Sequence, residues 1–295
     1  MLRVLITGSS GFVGSNLIPF LSNEYIIEKF DRQNFKKIES DVIIHLAGKA
    51  HDLKNSFPQD EYFKSNTYLT NKLFDEFLKS NSKVFIYVSS VKAVSDSVTG
   101  VLNEDQVPNP KSFYGISKLL AEKYILSKKN SNKKRIFILR PCMIHGPRNK
   151  GNLNLLYRLV SARLPWFLGL FNNKRSYCSI DNMLFVIKEL IENKSINSGI
   201  YNIADDEPLS INEVVSLIGI SQNRKVSILK TPKFIIKFLA VIGDWLHLPF
   251  NSVRLKKLTE PYVVSNKKIL NSIKKELPTS SKNGMIKTFK SFKNT

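Results

Sequence analysis

Three side chains near the middle of the sequence, Ser90, Tyr114 and Lys118, have the types needed to move a proton to or from an alcohol. Tyr114 and Lys118 are four residues apart, so on a helix they lie on the same face. The Lys118 ammonium is then expected to stabilise a Tyr114 phenolate and to lower a phenol pKa of about 10. Ser90 ends an apolar run and can hydrogen-bond the same substrate oxygen. Because tyrosine and lysine often share this spacing on solvated helices, the surrounding elements must decide between catalysis and a structural role.

The first apolar run predicts a buried strand that turns directly into a helix. After residues 4–6, glycines follow at three-residue spacing, and residues 15–21 have helical apolar spacing. Gly8 permits the turn, Gly11 lets the backbone approach a diphosphate, and Gly14 lets the helix pack closely on the strand. The free N–H groups of the helix N-terminus favour an anion. The residues predicted to surround a dinucleotide diphosphate are Gly8, Ser10, Gly11, Phe12, Val13 and Gly14.

The next predicted strand, residues 25–30, ends at Asp31. An acidic residue about 20 positions beyond the glycines receives the ribose 2′-hydroxyl of NAD. Asp31 would repel the 2′-phosphate of NADP, whereas the neighbouring Arg32 could attract it. The sequence therefore favours NAD and leaves NADP open. The alternative, a glycine turn in an α/β domain that binds no dinucleotide, fits the combined pattern less well.

Apolar strand-like runs and helical runs alternate along the chain. Predicted strands cover residues 41–48, 83–90, 135–140 and 199–204, and predicted helices cover residues 61–80, 114–128, 152–164, 182–193 and 211–218. This alternation predicts an α/β protein with a doubly wound parallel sheet, the Rossmann fold, with ligands at the carboxyl ends of the strands. The glycine loop, the turn of Leu46, Ala47 and Gly48, and Ser90 all fall at such ends. The glycine loop and the turn are expected to contact the cofactor.

Proline and glycine residues break the regular pattern from residue 141 onwards. We predict an NAD-binding domain of residues 1–145 and 181–204, and a smaller, discontinuous C-terminal substrate-binding lobe of residues 146–180 and 205–295. Residues 32–40 are too few for a helix–strand–helix connection. One strand of the sheet is therefore expected to be missing.

The formal net charge of +21 invites a nucleic-acid hypothesis, but the basic residues are scattered and form no recognition motif. We expect a lysine-rich solvated surface and no nucleic-acid partner. The four histidines have no metal-ligand spacing, so no metal is predicted. Cys142 and Cys178 form no disulfide framework, which fits a reducing cytoplasm. The first strand leaves no room for a signal peptide, and no apolar run reaches the ~18 residues of a membrane span.

Together these motifs resemble the extended short-chain dehydrogenase/reductases, and specifically the nucleotide-sugar epimerases and dehydratases. The matching segments are residues 7–14, Asp31, residues 45–48, Asn66, Thr70, Asn71, Ser89, Ser90 and residues 114–118, 140–141, 144–147, 175–177 and 181–182. The resemblance implies a homodimeric, NAD-dependent enzyme with Ser90, Tyr114 and Lys118 as catalytic residues, the latter two also contacting the cofactor. It implies that Asn66 supports the active-site helix. The implied substrate-binding residues are Lys49, Ser90, Met143, Asn152 and Arg175, of which Arg175 grips a diphosphate.

Several departures from the family pattern narrow the function. Dehydratases carry an Asp-Glu pair after the catalytic hydroxyl, whereas Val91 and Lys92 stand here, so loss of water is not expected. Met143 replaces a substrate-binding asparagine of galactose-type epimerases, and His145 replaces a usual tyrosine, which leaves the hexose open. Residues 148–153 and 173–176 are most similar to bacterial enzymes that act on N-acetylated sugars in surface-polysaccharide synthesis.

These observations predict an NAD-dependent 4-epimerase of a UDP-linked N-acetylhexosamine, acting through a transient 4-keto sugar. A 4-keto-sugar reductase that consumes NAD(P)H would use the same residues. A 4-epimerase of a polyprenyl-diphosphate-linked sugar is another alternative, and a non-catalytic NAD-binding regulator is an alternative of a different class. The apolar residues 234–248, flanked by lysines and Arg254, predict a helix packed on the lobe or one lying on a membrane surface. The protein is thus expected to be cytoplasmic, with peripheral membrane contact as an open possibility.

Overall fold

A parallel six-stranded sheet forms the centre of the protein in the computed structural model, which describes residues 1–31, 38–49, 58–128, 134–149 and 151–294. The strands of the described residues are β1 Arg3–Thr7, β2 Ile26–Lys29, β3 Val42–His45, β4 Val84–Val88, β5 Val101–Leu102, β6 Arg135–Pro141, β7 Met143–His145, β8 Lys174–Arg175, β9 Tyr177–Ser179, β10 Gly199–Ile203, β11 Leu209–Ser210 and β12 Val263–Val264. The central sheet has the order β2-β1-β3-β4-β6-β10. Its parallel pairing gives the Rossmann fold that the sequence predicts.

Helices connect these strands and build the lobe. They are α1 Phe12–Leu21, α2 Gln59–Tyr62, α3 Leu69–Lys79, α4 Phe113–Ser127, α5 Asn152–Ser161, α6 Ile180–Glu192, α7 Ile211–Ser221, α8 Lys233–Trp245, α9 Ser252–Thr259, α10 Lys267–Ile273 and α11 Ser281–Ser291. Two short 3-10 helices cover Val91–Ala93 and Phe292–Asn294. Ser112 fixes the start of α4, because its side chain accepts a 3.1 Å hydrogen bond from Gly115 N.

Alternating residues of the central strands bury both faces of the sheet. Ile6, Ile44 and Ile86 belong to one apolar cluster, and Ile43 and Phe85 belong to a second. This alternation follows from the two-residue period of a strand. A strand that buries both faces needs helices on both sides, which is why the strands are almost continuously apolar.

A separate apolar cluster, the lobe core, lies in the C-terminal part. It contains Leu156, Val214 and Ile218 together with Met285 and Phe289 of α11. The lysine-rich tail thus contains a helix that buries one apolar face, a role that its composition did not reveal. All buried members of the lobe core fall within the segments predicted for the substrate-binding lobe.

Part of the same C-terminal segment packs on the sheet instead. Tyr262, Val264, Ile269 and Ile273 join the apolar cluster of the sheet. The division into two domains therefore stays a proposal, in which β12 and α10 pack against the central sheet.

The predicted helix over residues 61–80 contains an irregular turn. Between α2 and α3, Phe63–Tyr68 form a π-helical segment, which carries the buried Asn66. Such single π turns insert an extra residue and re-aim the side chains around them. Periodicity alone predicted one regular helix here.

The connection between β2 and β3 is short, as the residue count requires. β2 is an edge of the sheet among the residues that the structure describes. Arg32, the predicted NADP-attracting residue, lies outside the described residues. Residue 38 onwards leads directly into β3.

Candidate active site

The glycine loop between β1 and α1 holds its glycines against neighbouring backbone. Gly8 has a φ of 66°, and a Cβ there would lie 2.8 Å from Ala47 N. Gly11 N donates a 3.0 Å hydrogen bond to Gly8 O. A Cβ on Gly14 would overlap Gly8 O and approach Ser9. The turn therefore requires glycine at Gly8 and Gly14 for steric reasons.

The start of α1 offers free N–H donors. No side chain caps the helix at Gly11. The N–H groups of the first turn, which includes Phe12 and Val13, have no partner inside a helix, and the positive end of the helix dipole is there. Ser10 lies exposed on the same loop. This cradle, closed to a Cβ and rich in donors, fits the diphosphate of NAD.

Asp31 stands at the carboxyl end of β2, beside the glycine loop. The preceding Phe30 N donates a 3.0 Å hydrogen bond to Ile6 O, which continues the pairing of β2 with β1. Asp31 is exposed. A carboxylate at this edge is placed to accept from a ribose hydroxyl of a dinucleotide bound on the glycine loop.

A hydrogen-bond chain that the sequence did not reveal links the ends of β1 and β3. Thr7 Oγ1 lies 2.6 Å from His45 Nδ1 and accepts from Leu46 N at 3.1 Å and Ala47 N at 3.0 Å. His45 Nε2 lies 2.8 Å from Thr70 Oγ1. The chain fixes the Leu46–Ala47–Gly48 turn against the glycine loop.

Ser90, Tyr114 and Lys118 meet at the carboxyl end of β4. The Ser90 hydroxyl lies beside the Tyr114 phenol and acts to lower its pKa. Lys118 is buried, and its Nζ donates a 3.0 Å hydrogen bond to Val88 O, two residues before Ser90. Gly48 borders the same ammonium, because a Cβ on Gly48 would lie 3.1 Å from Lys118 Nζ. The structure therefore brings together the three residues that the sequence nominated and places the cofactor-side turn next to them.

Burial controls the ionisation of this group. Burial raises the pKa of Tyr114 and the hydrogen bond from Ser90 opposes that rise. Burial lowers the pKa of Lys118 to about 8, while the charge of Glu122 acts in the opposite direction. The direction for Tyr114 differs from the expected lowering. The physical reason is that the Lys118 ammonium bonds the Val88 carbonyl, so desolvation dominates at the phenol.

Asn66 ties the π-helical turn to α4. Its Nδ2 donates to Ser117 Oγ at 2.9 Å and to Lys49 O at 3.1 Å, and its Oδ1 accepts from Lys49 N at 2.8 Å. Asn66 is fully buried. It thereby anchors both α4 and the turn that follows Gly48, which agrees with the supporting role that the resemblance implied.

A buried ion pair behind Lys118 was not predicted. The carboxylate of Glu122 accepts from Arg140 Nη2 at 2.5 Å and from Ser89 Oγ at 2.5 Å. Both charged side chains are almost completely buried. Glu122 is four residues beyond Lys118, so the same helical spacing that selected Tyr114 and Lys118 would also have selected Glu122.

Arg175 lies on the lobe side, close to Lys92 and Tyr262. Arg175 Nη1 donates a 2.6 Å hydrogen bond to Lys257 O, and residue 175 bridges to Tyr262. Lys92 Nζ stands 4.6 Å from the centre of the Tyr262 ring. Burial, and after it the charge of Arg175, lowers the pKa of Lys92, although Asp96 opposes this. Lys92 and Arg175 thus place two positive charges near the carboxyl end of β4, where they would attract an anionic ligand.

The other predicted substrate residues have separate environments. Lys49 forms an ion pair with Glu61. Met143 in β7 pairs in register with Tyr177 of β9 and packs against the lobe core. Asn152 is exposed at the first residue of α5. No contact joins Asn152 to Arg175 among the described hydrogen bonds, so their shared role stays a prediction.

His145 has a structural environment. It is fully buried, with Nδ1 2.9 Å from Thr288 Oγ1 of α11 and Nε2 3.3 Å from the carboxylate of Asp205. Asp205 also accepts from Ser179 N at 2.7 Å. The residue that departs from the family pattern therefore connects α11 to the strand ends. Both cysteines are buried free thiols.

Within the described residues, no group of three or more His, Cys, Asp and Glu side chains is arranged to hold a metal ion. In the same part of the chain, none of the helices combines the length and apolarity that crossing a membrane demands.

The fold and the glycine cradle define a Rossmann-type dinucleotide-binding protein. The model of the NAD dependent epimerase/dehydratase family matches residues 28–204, more than half of the chain. The chain belongs to this family. The predicted fold class, the resemblance and NAD as the cofactor of the enzyme are confirmed at this level.

Individual relatives are sugar 4-epimerases. The chain is 29% identical over 257 residues to a UDP-glucose 4-epimerase of Vibrio cholerae, and the aligned region covers 78% of each protein. It is 26% identical over 252 residues to the N-acetyl-alpha-D-glucosaminyl-diphospho-ditrans,octacis-undecaprenol 4-epimerase of Escherichia coli O157:H7, covering 78% of this chain and 75% of that protein. The solved structure of UDP-glucuronic acid 4-epimerase from Bacillus cereus in complex with NAD superposes with a TM-score of 0.76 at 19% identity and 99% coverage of both chains, which shows a shared fold.

Proposed function

We propose that this chain is an NAD-dependent nucleotide-sugar 4-epimerase and that its substrate is a UDP-linked N-acetylhexosamine. The observation that carries the proposal is the meeting of Ser90, Tyr114 and the buried Lys118 at the end of β4, next to the glycine cradle. The relatives named as 4-epimerases support the reaction class. The N-acetylated sugar rests on the sequence of residues 148–153 and 173–176.

The residues proposed to hold NAD are those of the cradle and of the neighbouring strand ends: Gly8, Ser10, Gly11, Phe12, Val13, Gly14, Asp31, Leu46, Ala47 and Gly48. When bound, NAD supplies reversible acceptance of a hydride from the sugar carbon. The first-turn N–H groups of α1 bind the diphosphate, and the Asp31 carboxylate accepts from the ribose.

The chain's own side chains handle the proton. Tyr114, in its phenolate form, takes the proton from the carbon-4 hydroxyl, and the resulting phenol later returns that proton to the oxygen of the 4-keto sugar. Ser90 hydrogen-bonds the same oxygen and orients it. Lys118 keeps a positive charge on the same face of α4 as Tyr114, and Arg175 binds the substrate diphosphate through its planar guanidinium. Between the two proton transfers the sugar ring must turn to present its other face.

The proposal is tested by incubating the purified protein with UDP-N-acetylglucosamine without added reductant and following the carbon-4 configuration by proton NMR. We expect the galacto epimer to appear. Tyr114→Phe is expected to lower turnover by about 10²–10⁴-fold because it removes the proton carrier. Tyr124→Phe on the same helix is the control, since Tyr124 bonds Asp75 away from the site. Wild-type turnover by Tyr114→Phe would contradict the mechanism.

A second candidate is a 4-epimerase of a sugar carried on a polyprenyl diphosphate. The relative from Escherichia coli O157:H7 favours it by its name. If UDP-N-acetylglucosamine is unchanged while NAD is bound, the same NMR assay with the polyprenyl-linked sugar distinguishes this carrier. A 4-keto sugar with NADPH then tests the reductase alternative. The proposal also includes a homodimeric, cytoplasmic protein.

A further inference from the structure

The outer face of α8 exposes a continuous stripe of large apolar side chains. Phe234, Phe238, Val241 and Trp245 are 72%, 64%, 58% and 80% exposed. Their spacing of four, three and four residues places them in one line along the helix. We call these four residues the α8 stripe. An ordinary surface helix would carry polar residues on this face.

The inner face of the same helix is what holds α8 to the protein. Ile236, Ala240 and Gly243 are buried, and the first two belong to the lobe core. Gly243 lies against the backbone of Phe250, so closely that a Cβ would overlap its carbonyl oxygen. Helix α8 is therefore already packed on the lobe through one side. The α8 stripe is the side left over.

The surroundings of the α8 stripe are strongly basic. Between residues 230 and 257 the basic side chains are Lys230, Lys233, Lys237, Arg254, Lys256 and Lys257, all exposed. Asp244 is the one acidic residue in that range. Over the whole chain, 45 basic residues face 24 acidic ones, so the excess is locally much larger. Apolar aromatic residues bordered by cations suit the interface of an anionic lipid bilayer.

We propose that α8 docks the protein on the surface of an anionic phospholipid membrane, with the α8 stripe in the headgroup and acyl boundary and the basic residues on the lipid phosphates. Trp245, at the end of the helix, has the amphipathic ring that is favoured at such an interface. A second copy of the chain fits this face less well. A symmetric contact through the α8 stripe would bring the two sets of lysines together, and like charges repel.

The proposed docking face is connected to the candidate substrate site through helix α9. Helix α9 follows α8 in the chain. Two carbonyl oxygens in its last turn accept hydrogen bonds: Lys257 O from Arg175 Nη1 at 2.6 Å, and Leu258 O from Asn173 Nδ2 at 3.1 Å. Docking through α8 would therefore hold the cationic side of the site near the lipid phosphates. This link rests on the proposed function, in which Arg175 binds a diphosphate, and it suits a diphosphate carried by a membrane lipid.

The test uses the full-length protein and sedimentation with vesicles of phosphatidylcholine alone or of phosphatidylcholine mixed with phosphatidylglycerol. We expect wild-type protein to bind the mixed vesicles, and more salt or neutral vesicles to weaken binding. The double variant Phe238→Ser/Trp245→Ser is expected to lower the bound-to-free ratio at least about tenfold. The control Phe20→Ser/Ile220→Ser also removes two exposed apolar side chains, but on α1 and α7 instead of α8, and is expected to bind as wild type does.

Three results would overturn the docking proposal. They are wild-type protein that does not prefer anionic vesicles, an α8 double variant that binds as well as wild type, and an α8 double variant that turns a wild-type dimer into a monomer, which would assign the stripe to a second copy. Turnover of the water-soluble nucleotide sugar is measured on every preparation. Turnover without vesicle binding overturns the docking alone, whereas vesicle binding without turnover by wild type overturns the proposed function alone.

Discussion

Asn66 donates a 2.9 Å hydrogen bond from Nδ2 to Oγ of Ser117, which joins the π-helical turn to the helix that carries Tyr114 and Lys118. The same amide bonds both the N–H and the carbonyl of Lys49. Gly48 borders the Lys118 ammonium, so this single side chain bonds both the turn beside Lys118 and the proposed catalytic helix.

Replacing Asn66 by leucine tests this role, because leucine keeps the branched shape and the number of side-chain heavy atoms and removes every side-chain hydrogen bond. We expect the free energy of unfolding to fall by about 1–3 kcal/mol, since buried groups lose partners. We expect kcat to fall by about tenfold or more, because a displaced Lys118 or Tyr114 misplaces the reacting group. Denaturant unfolding and steady-state kinetics measure the two effects.

Thr67→Val is the matched control for Asn66→Leu. Thr67 Oγ1 donates a 2.8 Å hydrogen bond to Ser117 O, so it joins the same two helices without bonding Lys49. Its loss should cost about 1 kcal/mol and leave kcat nearly unchanged. Equal kcat for Asn66→Leu and wild type would show that Asn66 is merely structural.

The buried ammonium of Lys118 predicts a pH-dependent stability difference. The folded pKa is lowered to about 8 from an ordinary value of 10.5. Between these pH values the unfolded chain binds more protons than the folded one, so the contribution of Lys118 makes the free energy of unfolding rise with pH. Below about pH 8 the buried charge is unfavourable. Above about pH 10.5 that cost is gone.

Lys118→Met removes this pH-dependent contribution to the free energy of unfolding. The stability of the variant relative to wild type is therefore expected to be highest below pH 8 and to decrease by about 3 kcal/mol on going to pH 10.5. Denaturant unfolding of both proteins between about pH 7.5 and 10 measures the trend. Lys123→Met, at an exposed position on the same helix, is measured alongside as the control for the loss of a lysine. A flat difference for Lys118→Met would refute the buried-ammonium description.

Gly14→Ala tests the glycine cradle. The added Cβ would overlap Gly8 O, so either α1 or the loop must move away. We expect the protein to be less stable. We also expect the dissociation constant for NAD to rise at least about tenfold, because the first-turn N–H groups are no longer oriented to hydrogen-bond the diphosphate. Calorimetric titration with NAD measures the affinity.

Gly199→Ala in β10 is the comparison for Gly14→Ala, since the nearest atom to its added Cβ would be a Tyr201 ring carbon at 3.8 Å. This variant should bind NAD as wild type does. Equal NAD affinity for Gly14→Ala and Gly199→Ala would mean that the loop tolerates the methyl group and that close packing at Gly14 is not needed for binding.

Local patterns in the sequence predicted the elements that hold the candidate site. The strand, glycine turn and helix up to Leu21 and the helix of Tyr114 and Lys118 follow from periodicity and spacing, which depend on near neighbours. The Glu122–Arg140 pair and the His145–Asp205 contact were missed because they join residues distant in sequence. Nothing in a single sequence specifies such partners without knowledge of the fold.

The small strand pairings outside the central sheet escaped prediction for a related reason. The pairings β5–β12, β7–β9 and β8–β11 involve two or three residues each, too few for a periodic signal. Helix α8 is apolar on both sides, so its pattern could not indicate which face is buried. The structure decides this, because Ile236 and Ala240 pack inward and Trp245 points away from the core.

Arg175 gives the most direct test of substrate binding. Its guanidinium has one described hydrogen bond, to Lys257 O, and it lies near Lys92, so its removal should cost little stability. A bidentate grip on a diphosphate predicts that Arg175→Gln raises KM for the nucleotide sugar about tenfold or more and leaves kcat within a few-fold, because the diphosphate is remote from the reacting carbon. Lys174→Gln, the exposed neighbour whose side chain points to the opposite side of the strand, is the control.

Binding of UDP and of uridine tests the diphosphate contact separately. Arg175→Gln should lower the affinity for UDP and leave the affinity for uridine unchanged. Equal UDP affinity in wild type and variant would show that Arg175 does not bind the diphosphate.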